Sequence, residues 1–339
     1  MKVDWIKKTK EGIQVKDGSF FVDPIYPVEK AIITHGHADH ARAGHEHVIA
    51  TLETIEIMKE RYGNNFCKKS TALKYHEKLT IEEVKIFLAP AGHVLGSAQV
   101  VMNFANQVIT VSGDYKRQDD PTCAAFEPIK SDIFITEATF ALPVFKHPNA
   151  NTQINLLIKS IQNFPERCHV IGVYSLGKAQ RLIKMLRNNG WHNTIYLHGS
   201  LVKICNLYEK FGIDLGDLEP ATIQDKPEKP HDFYKGKLIL APPSALADRW
   251  SRRFPDPILG MASGWMTVKQ RAKQRGINLP LILSDHADWN EILTTIKDVS
   301  PQEVWITHGA EEALIYECNK NNLTAKALSI IGYESDTDL

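Results

Sequence analysis

The chain has 339 residues, with 40 basic and 40 acidic side chains, 43% hydrophobic residues, 20 glycines and 17 prolines, which excludes a wholly disordered or fibrous protein. The length suits two folding units, each large enough for its own core. With zero formal net charge, any polyanion-binding surface has to come from local clustering of lysine and arginine.

In the first part of the chain, β-branched runs at 13–15, 20–22, 31–33 and 84–88 alternate with polar turns such as Asp17-Gly18 and read as strands. A hairpin at 99–104 and 108–111 about Asn106 follows, and 132–136 is one more buried strand. The pattern predicts mostly antiparallel β structure with few helices. From about Asn151 the rhythm changes to helix at 154–163, strand at 170–174, helix at 178–188, strand at 195–197 and helix at 201–211, a parallel α/β unit. A Pro-bearing polar stretch at 219–232 reads as a surface connection. Strand and helix signals resume at 237–240, 245–253 and 267–276, then strands at 281–283 and 304–307 are each followed by a helical pattern. Residues 334–339 read as a frayed tail.

Five cysteines, Cys67, Cys123, Cys168, Cys205 and Cys318, are odd in number and never form a C-x-x-C pair, which points to a reducing compartment rather than a disulfide framework or thiolate zinc site. The first ten residues carry no apolar leader core, and no apolar run reaches membrane-spanning length. The expectation is a cytoplasmic protein with no membrane partner.

The densest chemical signal is Thr34-His35-Gly36-His37-Ala38-Asp39-His40, placed where the 31–33 strand runs out. Imidazole and carboxylate suit zinc and similar first-row ions, and three clustered imidazoles repel one another when protonated, whereas in the neutral form they can share a cation. Polar residues also follow apolar strands at Ala91-Gly92-His93, Ser112-Gly113-Asp114, Ser284-Asp285-His286-Ala287-Asp288 and Thr307-His308-Gly309. Repetition of this ending is what argues for convergence on one site. His45, His47, His76, His147, His169, His192 and His231 lack such acidic neighbours and read as bystanders.

These strings, with Thr136-Glu137-Ala138-Thr139-Phe140 and Tyr174-Ser175-Leu176-Gly177-Lys178, resemble the metallo-β-lactamase fold and its β-CASP nuclease branch. Over nearly its whole length the chain resembles the bacterial DNA ligase-associated exonucleases of that branch, through Asp120-Pro121-Thr122-Cys123, Ala241-Pro242-Pro243-Ser244 and Ala262-Ser263-Gly264-Trp265. The resemblance implies an α/β metallo-β-lactamase αββα sandwich at 1–140 and 280–339 with an inserted β-CASP α/β cap at 141–279, the site lying between them. It implies two divalent metal ions, Zn²⁺ or Mn²⁺, with His35, His37 and His93 on the first, Asp39, His40 and His308 on the second, and Asp114 bridging. Glu137 would hold His286, the candidate general acid, and Asp39 and Asp114 would share in catalysis. Asp23 would orient a ligand histidine, although its place before Pro24 equally suits a turn. Ser175, Gly177, Lys178, Ser263, Gly264 and Lys116 are candidate phosphate contacts, the first three because a Gly-bearing strand-to-helix turn presents amides to an anion. Basic helices at Lys178, Arg181, Lys184, Arg187 and at Lys269, Arg271, Lys273, Arg275 add positive stripes.

The implied activity is phosphodiester hydrolysis of DNA by an exonuclease with a metal-bridging hydroxide, in DNA repair, with a DNA ligase and a helicase as partners. RNA-processing β-CASP ribonucleases are the alternative, favoured by a histidine at 308. Thioester or lactam hydrolysis on the same fold predicts no large insertion between Glu137 and His286, and a metal-free scaffold predicts missing ligands.

Overall fold

The computed structural model describes residues 4–222, 233–254 and 256–328. The expected connection is therefore described only as far as residue 222, and the expected tail and His231 lie outside the described residues.

Strands β1 (Ile6–Lys8), β2 (Ile13–Val15), β3 (Phe20–Val22), β4 (Lys30–Ile32), β5 (His45–Ala50) and β6 (Cys67–Ala72) form one sheet in that order, with helix α1 (Leu52–Tyr62) between the last two. The first three pair antiparallel and the rest parallel. Within this sheet parallel pairs outnumber antiparallel ones, because β5, α1 and β6 escaped the pattern. His45-Glu46-His47 masks a strand start, and β6, Cys-Lys-Lys-Ser-Thr-Ala, is an edge strand with largely exposed side chains. Thr51 starts α1, its Oγ1 accepting from Thr54 N at 3.2 Å and donating to Gly96 O at 2.7 Å.

Strands β7 (Leu79–Ile81), β8 (Val84–Pro90), β9 (Ala98–Phe104), β10 (Gln107–Val111) and β11 (Ile133–Ala138) begin the second sheet. Ala105 and Asn106, both with positive φ, make the β9–β10 turn, the two-residue geometry that follows strand twist.

Next come α2 (Ala150–Asn163), β12 (His169–Gly172), α3 (Lys178–Asn188), β13 (Ile195–Leu197), α4 (Gly199–Lys210), β14 (Leu218–Pro220) and β15 (Leu238–Ala241). They are followed by α5 (Pro243–Leu246), β16 (Ile258–Ala262), α6 (Lys269–Gln274) and β17 (Leu279–Leu281). The six strands form a wholly parallel sheet ordered β14-β13-β15-β12-β16-β17. Two expectations shift here. The helix expected over 245–253 is split into α5 and a 3-10 turn at Ser251–Arg253, with Ser251 Oγ donating to Leu246 O. The strand expected at 281–283 is β17, two residues earlier, where Pro280 is tolerated because the strand is an edge.

The chain closes with α7 (Trp289–Val299), β18 (Glu303–Gly309), α8 (Glu311–Lys320) and β19 (Thr324–Ala327), which complete the second sheet as β19-β18-β11-β10-β9-β8-β7. Asp288 caps α7 by accepting from Glu291 N while Glu291 Oε2 accepts from Asp288 N, a reciprocal capping box.

The chain divides into two compact units, one built from the described residues up to Phe145 and from His286 onward, the other from Lys146–Asp285. Both junctions fall a few residues later than the sequence suggested. Phe145 packs edge-on against Phe140, and its carbonyl accepts from Trp289 N, which keeps 141–145 with the first unit.

In the first unit the two sheets face each other across a core that includes Val15, Phe20, Val22 and Ile32 from one and Leu88, Val100, Met102, Ile109 and Ile135 from the other. Period-2 alternation sends Ala31, Ile33 and Val48 to the outer face under α1, with Ile55 and Met58. It sends Phe134, Val304 and Ile306 outward under α7 and α8, with Ile292, Ile296 and Leu314. These four layers are an αββα sandwich. The second unit packs Val170, Ile239, Tyr196 and Tyr234 in its core. No helix among the described residues is long and apolar enough to cross a membrane.

Candidate metal centre

β4 ends at Ile32, and Thr34 turns the chain into the histidine loop. Thr34 N donates to Asp23 Oδ1 at 2.7 Å, and His40 Nδ1 lies 2.8 Å from Asp23 Oδ2. An ionised carboxylate only accepts, so Asp23 assigns the His40 proton to Nδ1 and turns Nε2 toward the cluster. Ala41 N and His40 N both donate to His37 O, winding the loop tightly. Gly36 separates two histidines because a Cβ there would stand 2.5 Å from Ile57 Cγ2; the loop lies directly on α1.

His93 follows β8 in a turn held by Ser97 Oγ, which accepts from His93 N at 3.0 Å and Val94 N at 3.1 Å. Asp114 follows β10. His308 and Glu137 reach one place through a register shift between β11 and β18, where Thr307 and His308 stand opposite the single Glu137. A bulge of this kind re-aims side chains beside functional sites.

Asp114 is the hub. Its Oδ2 lies 3.4 Å from His35 Nε2, 3.4 Å from His40 Nε2 and 3.7 Å from His93 Nε2, and its Oδ1 lies 3.6 Å from His308 Nε2. Two groups that could hold an ion result, His35 with His37, His93 and Asp114, and Asp114 with Glu137 and His308, the candidate ligand atoms within each lying within 4.8 Å of one another. His93 Nε2 and His37 Nδ1 are 2.9 Å apart. At metal–nitrogen distances near 2.1 Å, ligand atoms sharing a tetrahedral ion stand roughly 3.4 Å apart, so the spacing suits an ion. His35 Nε2 and Asp114 Oδ1 are buried and make no hydrogen bond, an arrangement that is costly unless a cation is coordinated there. Asp39, partly exposed, joins through His40 Nε2, 3.7 Å from its Oδ2.

The charges agree. Burial pushes the His35 imidazole well below its usual value, aided by His40, which keeps it in the neutral, ligating form. Burial also opposes charge on His40, yet the Asp114 and Asp39 carboxylates outweigh it and hold His40 well above the histidine range. Asp114 is held well below the carboxylate range: burial acts the other way, but His40 and His35 prevail. The cluster as a whole draws positive charge.

His286 Nδ1 lies 2.9 Å from Glu137 Oε2 and 4.0 Å from Asp114 Oδ2. Glu137 is fixed by Tyr115 N on Oε1 at 2.8 Å and by the Thr139 hydroxyl on Oε2. Two residues to which the sequence argument gave no role are threonines directly preceding candidate ligand histidines: Thr34 Oγ1 is 3.0 Å from His35 Nδ1, and Thr307 Oγ1 is 2.8 Å from His308 Nδ1. The repeated Thr-His pair was the available signal.

The proposed phosphate contacts stand differently. Lys116 is 1% exposed, with Nζ donating to His93 O at 2.9 Å and Asp120 Oδ2 at 2.8 Å, so its ammonium is turned inward rather than toward a polyanion. In the second unit, Ser175 and Gly177 follow β12, and Ser263 and Gly264 follow its parallel neighbour β16 at the same carboxyl edge. The amide of Gly177 donates to Gln180 Oε1 at 2.8 Å, and the buried Lys178 ammonium lies 3.8 Å from Asp285 Oδ2 and over the Tyr174 ring. Arg181, 0% exposed, lies 3.3 Å from Asp285 Oδ1, and Arg187 donates to the carbonyls of Leu215, Asn193 and Asp217. The basic stripe on α3 is internal bracing, because each cation found backbone or carboxylate oxygens within its own unit.

The Zn-dependent metallo-hydrolase RNA specificity domain family matches residues 280–320, which carry His286 and His308. Cleavage and polyadenylation specificity factor 73 of Drosophila melanogaster is 33% identical over 147 residues, 41% of this chain and 21% of that protein. A probable DNA ligase of Opitutus terrae is 25% identical over 337 residues, 96% of this chain and 31% of that protein. Together these similarities support a β-CASP nuclease of the metallo-β-lactamase fold. A crystal structure of a protein of unknown function from Enterococcus faecalis V583 shares the fold with a TM-score of 0.59 at 14% identity, over 87% of this chain and 78% of that one. The chain spans less than a third of the length of the two sequence relatives. The matched family is one of Zn-dependent metallo-hydrolases, and the clusters around Asp114 could hold a divalent ion.

Proposed function

We propose that the chain is a metal-dependent DNA exonuclease that works in the cytoplasm, in DNA repair, beside a DNA ligase and a helicase. The observation that carries the choice of DNA is similarity along 96% of the chain to a protein named as a probable DNA ligase. In this reading His35, His37 and His93 hold one divalent ion, zinc or manganese, and Asp39, His40 and His308 the other, with Asp114 reaching both. When bound, the ions supply Lewis-acid charge and an activated water.

The chain's own groups do the rest. Asp23 holds His40 in one tautomer, and Ser97 holds the His93 backbone. Glu137 takes the Nδ1 proton of His286 as a hydrogen bond, which leaves Nε2 as the atom that passes a proton to the leaving oxygen. General acid catalysis of this type contributes about 10² to 10⁴ in rate.

RNA is the second reading, favoured by the RNA specificity domain match and by a relative named as a cleavage and polyadenylation factor. End-labelled single-stranded DNA and RNA of one sequence, digested with Mn²⁺ or Zn²⁺, separate the two. The expected outcome is stepwise loss of the DNA label, abolished by Asp114→Ala and by His286→Ala, with metal retained better in the latter. Faster digestion of the RNA overturns the choice of DNA.

A further inference from the structure

Asp120-Pro121-Thr122-Cys123 and the buried Lys116 have no part in the chemistry above. Lys116 Nζ donates to the carbonyl of His93 at 2.9 Å, and Lys116 N donates to Ala91 O at 3.3 Å. The loop carrying Asp114 is therefore tied twice to the loop carrying His93. The ammonium is neutralised by Asp120 Oδ2 at 2.8 Å, with both side chains buried. Asp120 is in turn locked through Oδ1, which accepts from Thr122 N at 2.8 Å and Thr122 Oγ1 at 2.6 Å. Pro121 has no amide to offer, so the turn closes on Thr122.

Removing an ammonium and a carboxylate from water costs several kcal/mol each before their attraction offsets it, and an apolar pair of similar size often serves stability as well. What an apolar pair cannot do is hold a carbonyl by a charge-assisted hydrogen bond. We infer that Lys116 and Asp120 are positioning residues that fix His93 against Asp114, whose Nε2 and Oδ2 stand 3.7 Å apart. Lys116 acts on the metal centre through the His93 backbone and touches no substrate. The inference rests on the reading of the cluster as a two-ion centre.

The test is Co²⁺ titration followed by visible absorption, with apo-protein thermal unfolding alongside, for the wild type, Lys116→Met/Asp120→Leu and Asp120→Asn. The double variant removes both charges, and Asp120→Asn keeps the shape and an acceptor for Thr122. Expected are apo midpoints close to wild type, Co²⁺ affinity lowered roughly tenfold to a hundredfold in the double variant, a smaller loss in Asp120→Asn, and altered absorption bands in both. Wild-type affinity and bands in a folded double variant, or in Asp120→Asn if the double variant does not fold, overturn the inference. A wild type that binds fewer than two Co²⁺ overturns the two-ion reading itself, so the two failures are told apart.

Discussion

Asp23 shows how one side chain acquires a role that neighbouring sequence leaves open. Its place after β3 and before Pro24 suits a turn, and it has a positive φ of 43°, a region that aspartate tolerates better than most residues. The structure spends its carboxylate on Thr34 and His40 instead. Asp23→Ala is expected to lower divalent-ion affinity roughly tenfold to a hundredfold while leaving the apo fold intact, as measured by chelator competition and thermal unfolding. Unchanged affinity would remove Asp23 from the centre. The histidines themselves were legible because six residues hold four ligand-type side chains; the threonines behind them showed only as a repeated Thr-His pair, since a single hydroxyl one residue before a histidine is ordinary in any sequence.

Elements place those side chains, and the decisive one is β18. Regular pairing with β11 would set Glu137 against Thr307 alone; the register shift brings His308 in as well and returns to step at Gly309. Gly309 has φ +100°, and a Cβ there would lie 2.1 Å from Ala138 O, in the backbone of the neighbouring strand. Gly309→Ala is therefore expected to cost more than about 2 kcal/mol and to weaken ion binding at the proposed site of Asp114 and His308. Urea unfolding of the apo protein reads the first effect, and an unchanged midpoint would show that β18 adapts freely. Periodicity shows that a strand exists, but a single extra residue within it leaves no trace in an apolar run, and β5, α1 and β6 show the same limit where charged residues interrupt the pattern.

At the scale of the whole molecule, buried histidines outside the centre are expected to contribute to its response to acid. His45 and His169 are almost fully enclosed, and burial pushes each down to about 4. Between that value and the ordinary 6.5 the unfolded chain binds protons that the folded chain refuses, so stability rises with pH across this window and falls as pH drops from 6.5 toward 4. The thermal midpoint is expected to decline in that interval, with a shallower decline in His45→Gln/His169→Gln. Equal slopes for the two proteins would assign acid sensitivity to other groups. The double variant spans both units, so each single variant is compared as well.

The sequence by itself determined which side chains stand at strand ends, where helix and strand alternation begins, and that imidazoles and carboxylates recur after apolar runs. Those are local properties, set by residue type and by spacings of two or 3.6. Only the tertiary structure decided which way each long cation points. Lys116 found a carbonyl at His93 and Arg181 a carboxylate at Asp285, each remote in the chain. An ammonium or guanidinium on a flexible stem reads the same in a sequence whether it meets solvent, a phosphate or its own fold, and what distinguishes them is the company that folding brings within about 3 Å of it.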